Sequence, residues 1–259
     1  MSFASTAPID AKATSVFLPK EHGSWSLALE PLLFGLLVAY SPAAGALAVA
    51  AAAAFFMRRP IKRLAIKREP EAARVVMLLG ACAAGGLAAT VALGGWTPLL
   101  WLLPTLPFAW LFVHWDSQKE SRATHAELAA CGIFAFLPAV MAEQAGLPKL
   151  TALALCVLML ARSLPTVLIV RTYLRRRKGQ RIATTPAAVV TAATLAALLA
   201  LGVTGHMPWL ITALAAVGAL RLLLLLPKFP PVWSARRLGI TEACFGAAYV
   251  LTAGLIWPT

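Results

Sequence analysis

The stretch LTALALCVLMLARSLPTVLIVRTYLRRRK, Leu150 to Lys178, decides the fold class. From Leu150 to Val170 it is almost continuously apolar, and it then turns abruptly basic at Arg171. Roughly 20 apolar residues, rising 1.5 Å each in a helix, cover the hydrocarbon of a bilayer. A helix that is apolar on every side needs either a large protein core or lipid around it. A run of Arg and Lys at one end is the mark of a cytoplasmic loop.

The same signature recurs along the chain in both directions. Apolar segments are read at Trp25–Tyr40, Pro42–Met57, Ala72–Gly94, Thr97–Trp115, Ala126–Glu143, Leu150–Val170, Pro186–Thr204, Met207–Leu226 and Ile240–Trp257. With 60% hydrophobic residues, the chain carries more apolar surface than a soluble core of 259 residues could hide. Twenty of its 23 lysines and arginines fall on one side of a nine-crossing topology, and only Lys149 falls in a loop on the other. The remaining two, Arg162 and Arg221, lie inside segments. The expected fold is therefore all-α: a polytopic membrane protein of about nine transmembrane helices, N-terminus inside and C-terminus outside. Residues 1–24 are expected to be a cytoplasmic tail and 25–259 the membrane domain. The location expected is a bacterial cytoplasmic (inner) membrane.

This topology also explains the net charge of +13. Basic loops that face anionic lipid headgroups account for it, so the bilayer and not nucleic acid is the expected partner. The four cysteines, Cys82, Cys131, Cys156 and Cys244, sit in apolar segments without metal-like spacing and read as small buried hydrophobes. No metal site is expected, and no cofactor is named by the sequence.

Charge within an apolar helix costs roughly 2.5–3.5 kcal/mol at the centre and marks candidate function. Glu30 and Arg162 lie deepest, while Glu127, Arg221 and Glu242 lie nearer the cytoplasmic ends. Thr166 shares a face with Arg162 at i, i+4, whereas Arg171 faces away from it in a straight helix. Lys20, Glu21 and His22 stand where the first helix enters the membrane. His114, Asp116 and Arg122 gather at the end of the fourth segment, and Arg58 and Arg59 end the second. The competing reading is structural: carboxylates and arginines that neutralise one another, and basic residues that contact lipid headgroups. The histidines match no ligand spacing.

Two resemblances follow from these residues. Pro19-Lys20-Glu21-His22-Gly23-Ser24-Trp25, followed by Glu30-Pro31, resembles the opening of the YwiC-like family of bacterial membrane proteins. Arg58-Arg59-Pro60 and the Arg162-to-Arg171 segment fit it too. More distantly, the chain resembles the UbiA-type prenyltransferase scaffold, which implies a helical bundle with a cavity open to the cytoplasm. That family's Asp-rich motifs belong at the ends of the second and sixth helices. Here Met57 to Glu69 and Arg162 to Gly179 contain no aspartate. If the chain is an enzyme, the resemblance implies an intramembrane transferase that does not use the usual Mg²⁺–diphosphate site.

The function expected is binding, with or without modification, of an amphipathic anionic ligand of lipid, isoprenoid or quinone-precursor type. The alternatives are a small-solute or ion transporter and an accessory subunit of a respiratory or cofactor-assembly complex. The sequence shows no evident pair of Gly/Pro-broken helices, which counts against the transporter.

The topology makes a direct prediction. Reporter fusions at Gly95, Gly146 and the C-terminus should read periplasmic, and fusions near Arg63 and Arg176 cytoplasmic. A cytoplasmic C-terminus would mean that the number of crossings is even.

Overall fold

The computed structural model describes residues 22–118, 124–226 and 233–257. Lys20, Glu21 and Arg122 lie outside the described residues, and of His22 only its place at the start of the first helix is described. The described residues form helices and no strand: α1 His22–Val38, α2 Pro42–Lys67, α3 Pro70–Gly94, a 3₁₀ segment Thr97–Thr105 leading into α4 Leu106–Ser117, α5 Thr124–Phe134, α6 Leu137–Gln144, α7 Lys149–Arg177, α8 Thr185–Val203, α9 Trp209–Leu223 and α10 Ala235–Ile256. Among them, seven helical stretches are long and apolar enough to cross a membrane, and Trp25–Val38 and Trp209–Leu223 are shorter apolar helices. The protein is an all-α membrane protein.

Several boundaries differ from the apolar runs, for identifiable reasons. α2 does not stop at Met57 but continues through Pro60 to Lys67. Arg and Lys are good helix formers, so leaving the apolar stretch does not end the helix. It ends where Arg68 adopts the left-handed conformation at φ 51° and Pro70 disfavours helix at Glu69. At its other end Ser41 accepts from the Ala44 N–H at 3.0 Å, an N-cap that explains the hairpin with α1. α7 likewise runs past Val170 to Arg177. There Arg176 donates to the Leu226 carbonyl at 3.0 Å and Tyr173 accepts from the Trp233 N–H at 2.8 Å.

Two expected helices are interrupted. Thr97–Trp115 begins as a 3₁₀ segment rich in proline, and Ala126–Glu143 breaks after Phe134. Pro138 lacks an N–H, and its ring would clash with the carbonyl four residues earlier, that of Phe134. The sequence reading that no broken helix pair exists is therefore corrected: neighbouring segments 97–117 and 124–144 are both irregular.

The centre of the bundle is built by α1, α6, α7, α9 and α10, through Phe34, Met141, Leu158, Ile211 and Val250. The share of the apolar window that is buried is 61% for Thr124–Gln144 and 6% for α3, so α3 lies at the perimeter with Met77, Leu78 and Leu93 facing outward. The same logic corrects the cysteines: Cys131 and Cys156 are buried, but Cys82 and Cys244 are exposed, on helix faces that lipid would cover. α3 is held against α2 through small residues. A Cβ at Gly86 would stand 2.9 Å from the Ala46 carbonyl and 3.0 Å from the Ala50 nitrogen, both backbone atoms that cannot swing away. Small residues that let backbones approach are the usual basis of helix pairing in lipid.

Gly86→Val should therefore pry α3 from α2 and cost about 1–3 kcal/mol. Thermal unfolding in detergent would show it, with Gly85→Val, at a position open to space, as the tolerated control.

Candidate functional site

The deepest charge, Arg162, is 6% exposed and sits mid-way along α7. A guanidinium in this position needs partners, because an uncompensated buried charge is among the costliest features a fold can carry. α1 and α10 supply them. Arg162 Nε lies 3.3 Å from Glu30 Oε2 and its Nη1 3.7 Å from Glu242 Oε2. Its Nη2 donates to the Glu242 backbone carbonyl at 3.1 Å, and Nη1 to the Thr166 hydroxyl one turn on. Glu242 is also paired with Arg221 of α9, Oε1 to Nη2, at 2.8 Å. Both guanidiniums lie against the Phe245 ring, Arg221 at 4.4 Å and Arg162 at 5.5 Å from its centroid. Two carboxylates and two arginines from four helices thus form one chain of charge.

The chain is balanced in charge but incomplete in hydrogen bonds. Glu30 Oε1, both Glu242 oxygens, Arg162 Nε and Arg221 Nη1 are buried and make no aligned hydrogen bond. The Arg221–Glu242 approach of 2.8 Å is an ion pair by distance whose hydrogens point elsewhere. The network therefore retains donors and acceptors side by side.

It lines a cavity of about 490 Å³, within the usual range for small-molecule sites. Glu30, Glu127, Arg162, Thr166, Arg171 and Glu242 all border it, with apolar walls from Met159, Val167, Val170 and Leu174. Arg171 was expected to face away from Arg162, and the two do sit on opposite flanks of α7. The cavity runs along the strip between them, and both long side chains reach in. Arg171 donates to Glu127 from Nε at 2.7 Å and again from Nη2, a two-pronged pair that ties α7 to the start of α5.

The other candidates lie elsewhere. Arg58 Nη2 and Lys62 Nζ both donate to Asp116 Oδ1 at 2.6 Å, closing α2 onto α4. Arg59 and His114 border neither this cavity nor a second one, lined by Arg58, Lys62 and Asp116 among others. His114 stacks on Trp110 with centroids 5.5 Å apart, and His125 packs on Trp115 at 4.1 Å. Among the described residues no group of three His, Cys, Asp or Glu is placed to hold a metal ion.

Residues 18–142 match the family model for YwiC-like proteins. Over those residues the chain is similar to YwiC-like proteins. The match takes in α1 to the last turn of α6, just under half of the chain. No curated protein and no solved structure matches. The matched part contributes Glu30 and Glu127 to the cavity, and the remainder contributes Arg162, Arg171 and Glu242, with Arg221 behind Glu242.

One position that shapes this cluster is not marked in the sequence. A Cβ on Gly246 of α10 would fall onto the Glu30 carboxylate and the Arg162 guanidinium. A glycine within an apolar helix gives no sign of this in sequence, because its reason is a contact with charges 84 and 216 residues away. Gly246→Ala should displace the Glu30–Arg162 pair and lower stability by about 1–3 kcal/mol. Gly239→Ala on the same helix, where a Cβ meets nothing, should be neutral or slightly stabilising. Paired thermal melts of the two variants check the difference.

Proposed function

We propose that this is a multi-pass protein of the bacterial cytoplasmic membrane that binds an amphipathic ligand with an oxyanion head in the cavity around Arg162. The ligand class is lipid, isoprenoid or quinone precursor. The cavity opens to the cytoplasm under the positive-inside topology, and the nine crossings are the seven long helices together with α1 and α9. The basic helix ends meet anionic lipid headgroups, at about 1 kcal/mol per residue.

The observation that carries this reading is Arg162 itself, a buried guanidinium bordering a cavity with hydrogen-bonding capacity to spare. A guanidinium presents a planar fork suited to carboxylate or phosphate. The neighbouring Glu30 and Glu242 oxygens suit a hydroxyl or acid proton on the same head. Met159, Val167, Val170 and Leu174 suit an apolar body.

A transport reading has one observation in its favour. The irregular segments 97–117 and 124–144 lie beside each other, and broken helices are where transporters place their sites. Flux of a candidate solute into proteoliposomes separates the two readings.

The ligand should survive gentle purification and be visible by mass spectrometry. Arg162→Ala alone leaves the buried Glu30 carboxylate without its cation, and should cost about 3–5 kcal/mol. Glu30→Gln with Arg162→Met removes one charge of each sign and leaves Glu242 paired with Arg221. That double variant should express and insert normally yet retain none of the ligand. Retention at the wild-type level would reduce the network to internal charge balance and overturn the proposal.

A further inference from the structure

A second cavity, of about 660 Å³, lies beside the first, and Leu27 and Glu127 border both. Its walls come mainly from α2, α3, the 3₁₀ segment, α4 and α5, with Leu27 of α1 and Leu137 of α6. Alanines at 50, 54, 83, 109 and 130 leave room where larger side chains would fill it, and Leu102, Phe112 and Ile133 make the rest of it apolar. Its charged groups all stand at one end: Arg58, Lys62, Asp116 and Glu127. From Arg58 the cavity follows α2 to Leu47, and from Asp116 it follows α4 to Thr105, about eleven residues in each case. At 1.5 Å per residue that is roughly 16 Å, about half of a ~30 Å hydrocarbon core. The shape is that of one leaflet's depth with a polar mouth.

The charge at the mouth does not cancel. Arg58 and Lys62 converge on a single oxygen of Asp116, both at 2.6 Å. Two cations sharing one carboxylate leave this trio with one positive charge in surplus. The side chains of Arg58 and Lys62 are 29% and 35% exposed, so a ligand head reaches them. Arg58 is further held over the Phe112 ring at 4.6 Å. Glu127 adds no free negative charge, because Arg171 takes both of its oxygens.

We propose that this cavity is a second ligand site, for a long-chain carboxylate. Its single chain lies along the alanine-lined walls and its head against Arg58 and Lys62. The surplus of one charge matches a monoanion, and the volume is that of a site for one small ligand. The site is separate from the Arg162 cavity and does not depend on what that cavity binds.

The test uses the full chain in phosphatidylcholine nanodiscs and a palmitate analogue carrying a diazirine at mid-chain. After photolysis, adducts should map to α2, α4 and α5 around Ala54, Ala109 and Ala130. Excess palmitate should suppress them, and palmityl alcohol should compete about tenfold less well, the contribution of one charge-assisted hydrogen bond. Lys62→Met removes the surplus charge while leaving Asp116 paired with Arg58, so the preference for carboxylate over alcohol should disappear. Ala109→Phe should fill the cavity and cut labelling about tenfold. If that variant does not fold, the comparison of the two competitors on the wild-type protein still decides. Equal competition by acid and alcohol, or adducts as dense around outward-facing Met77 and Leu78 as in the cavity, would reduce the site to ordinary bilayer contact and overturn the proposal.

Discussion

Arg162 enters the apolar interior midway along α7, and the arrangement of the bundle's centre follows from satisfying it. α1 must bring Glu30 alongside, α10 must bring Glu242, and α9 must bring Arg221 so that two carboxylates meet two cations. The close approach this requires explains why α10 carries Gly246 where a methyl group would strike both partners. Hydrophobic attraction between helices is weak in lipid, so polar contacts and close packing carry more of the burden of choosing partners. The charge network then fixes which helices are neighbours as much as the apolar core does.

The two ionic clasps nearer the helix ends play a different part. Arg171 with Glu127 joins α7 to α5, and Arg58 and Lys62 with Asp116 join α2 to α4. They are partly exposed, so solvent screening keeps each of them weak. Their position gives them significance: they stand at the mouths of two cavities that share Leu27 and Glu127. The wall between the cavities is consequently one leucine and one carboxylate thick at that point.

Membrane class and the location of most apolar helices were legible in the sequence, because lipid imposes both a length and a composition on anything that crosses it. Glu30 and Arg162 were legible as costly charges for the same reason. Their partnership with Glu242 and Arg221 was not, since nothing local marks a residue 80 positions away as a neighbour. Prolines were ambiguous: Pro31, Pro60 and Pro165 sit inside intact helices, whereas Pro138 accompanies a break. Their sequence surroundings are similar, and the tertiary setting decides whether the freed carbonyl finds another donor. The second cavity was invisible for a simpler reason. Alanine in an apolar run reads as generic membrane filler, and only the facing of several such runs turns absent side chains into space.

The separation of Glu30 from Arg162 along the chain has a consequence for biogenesis. Glu30 leaves the ribosome 132 residues ahead of the arginine that neutralises it. At about 5–20 residues per second, that is an interval on the order of ten seconds. Throughout it α1, a short helix with an acid and a proline at its middle, is a poor candidate for free release into lipid. It must be held at the insertion machinery, or lie at the interface, until α7 is synthesised, and α10 with its second carboxylate comes later still. The first helix thus acquires the cation that neutralises it only when α7 has been made.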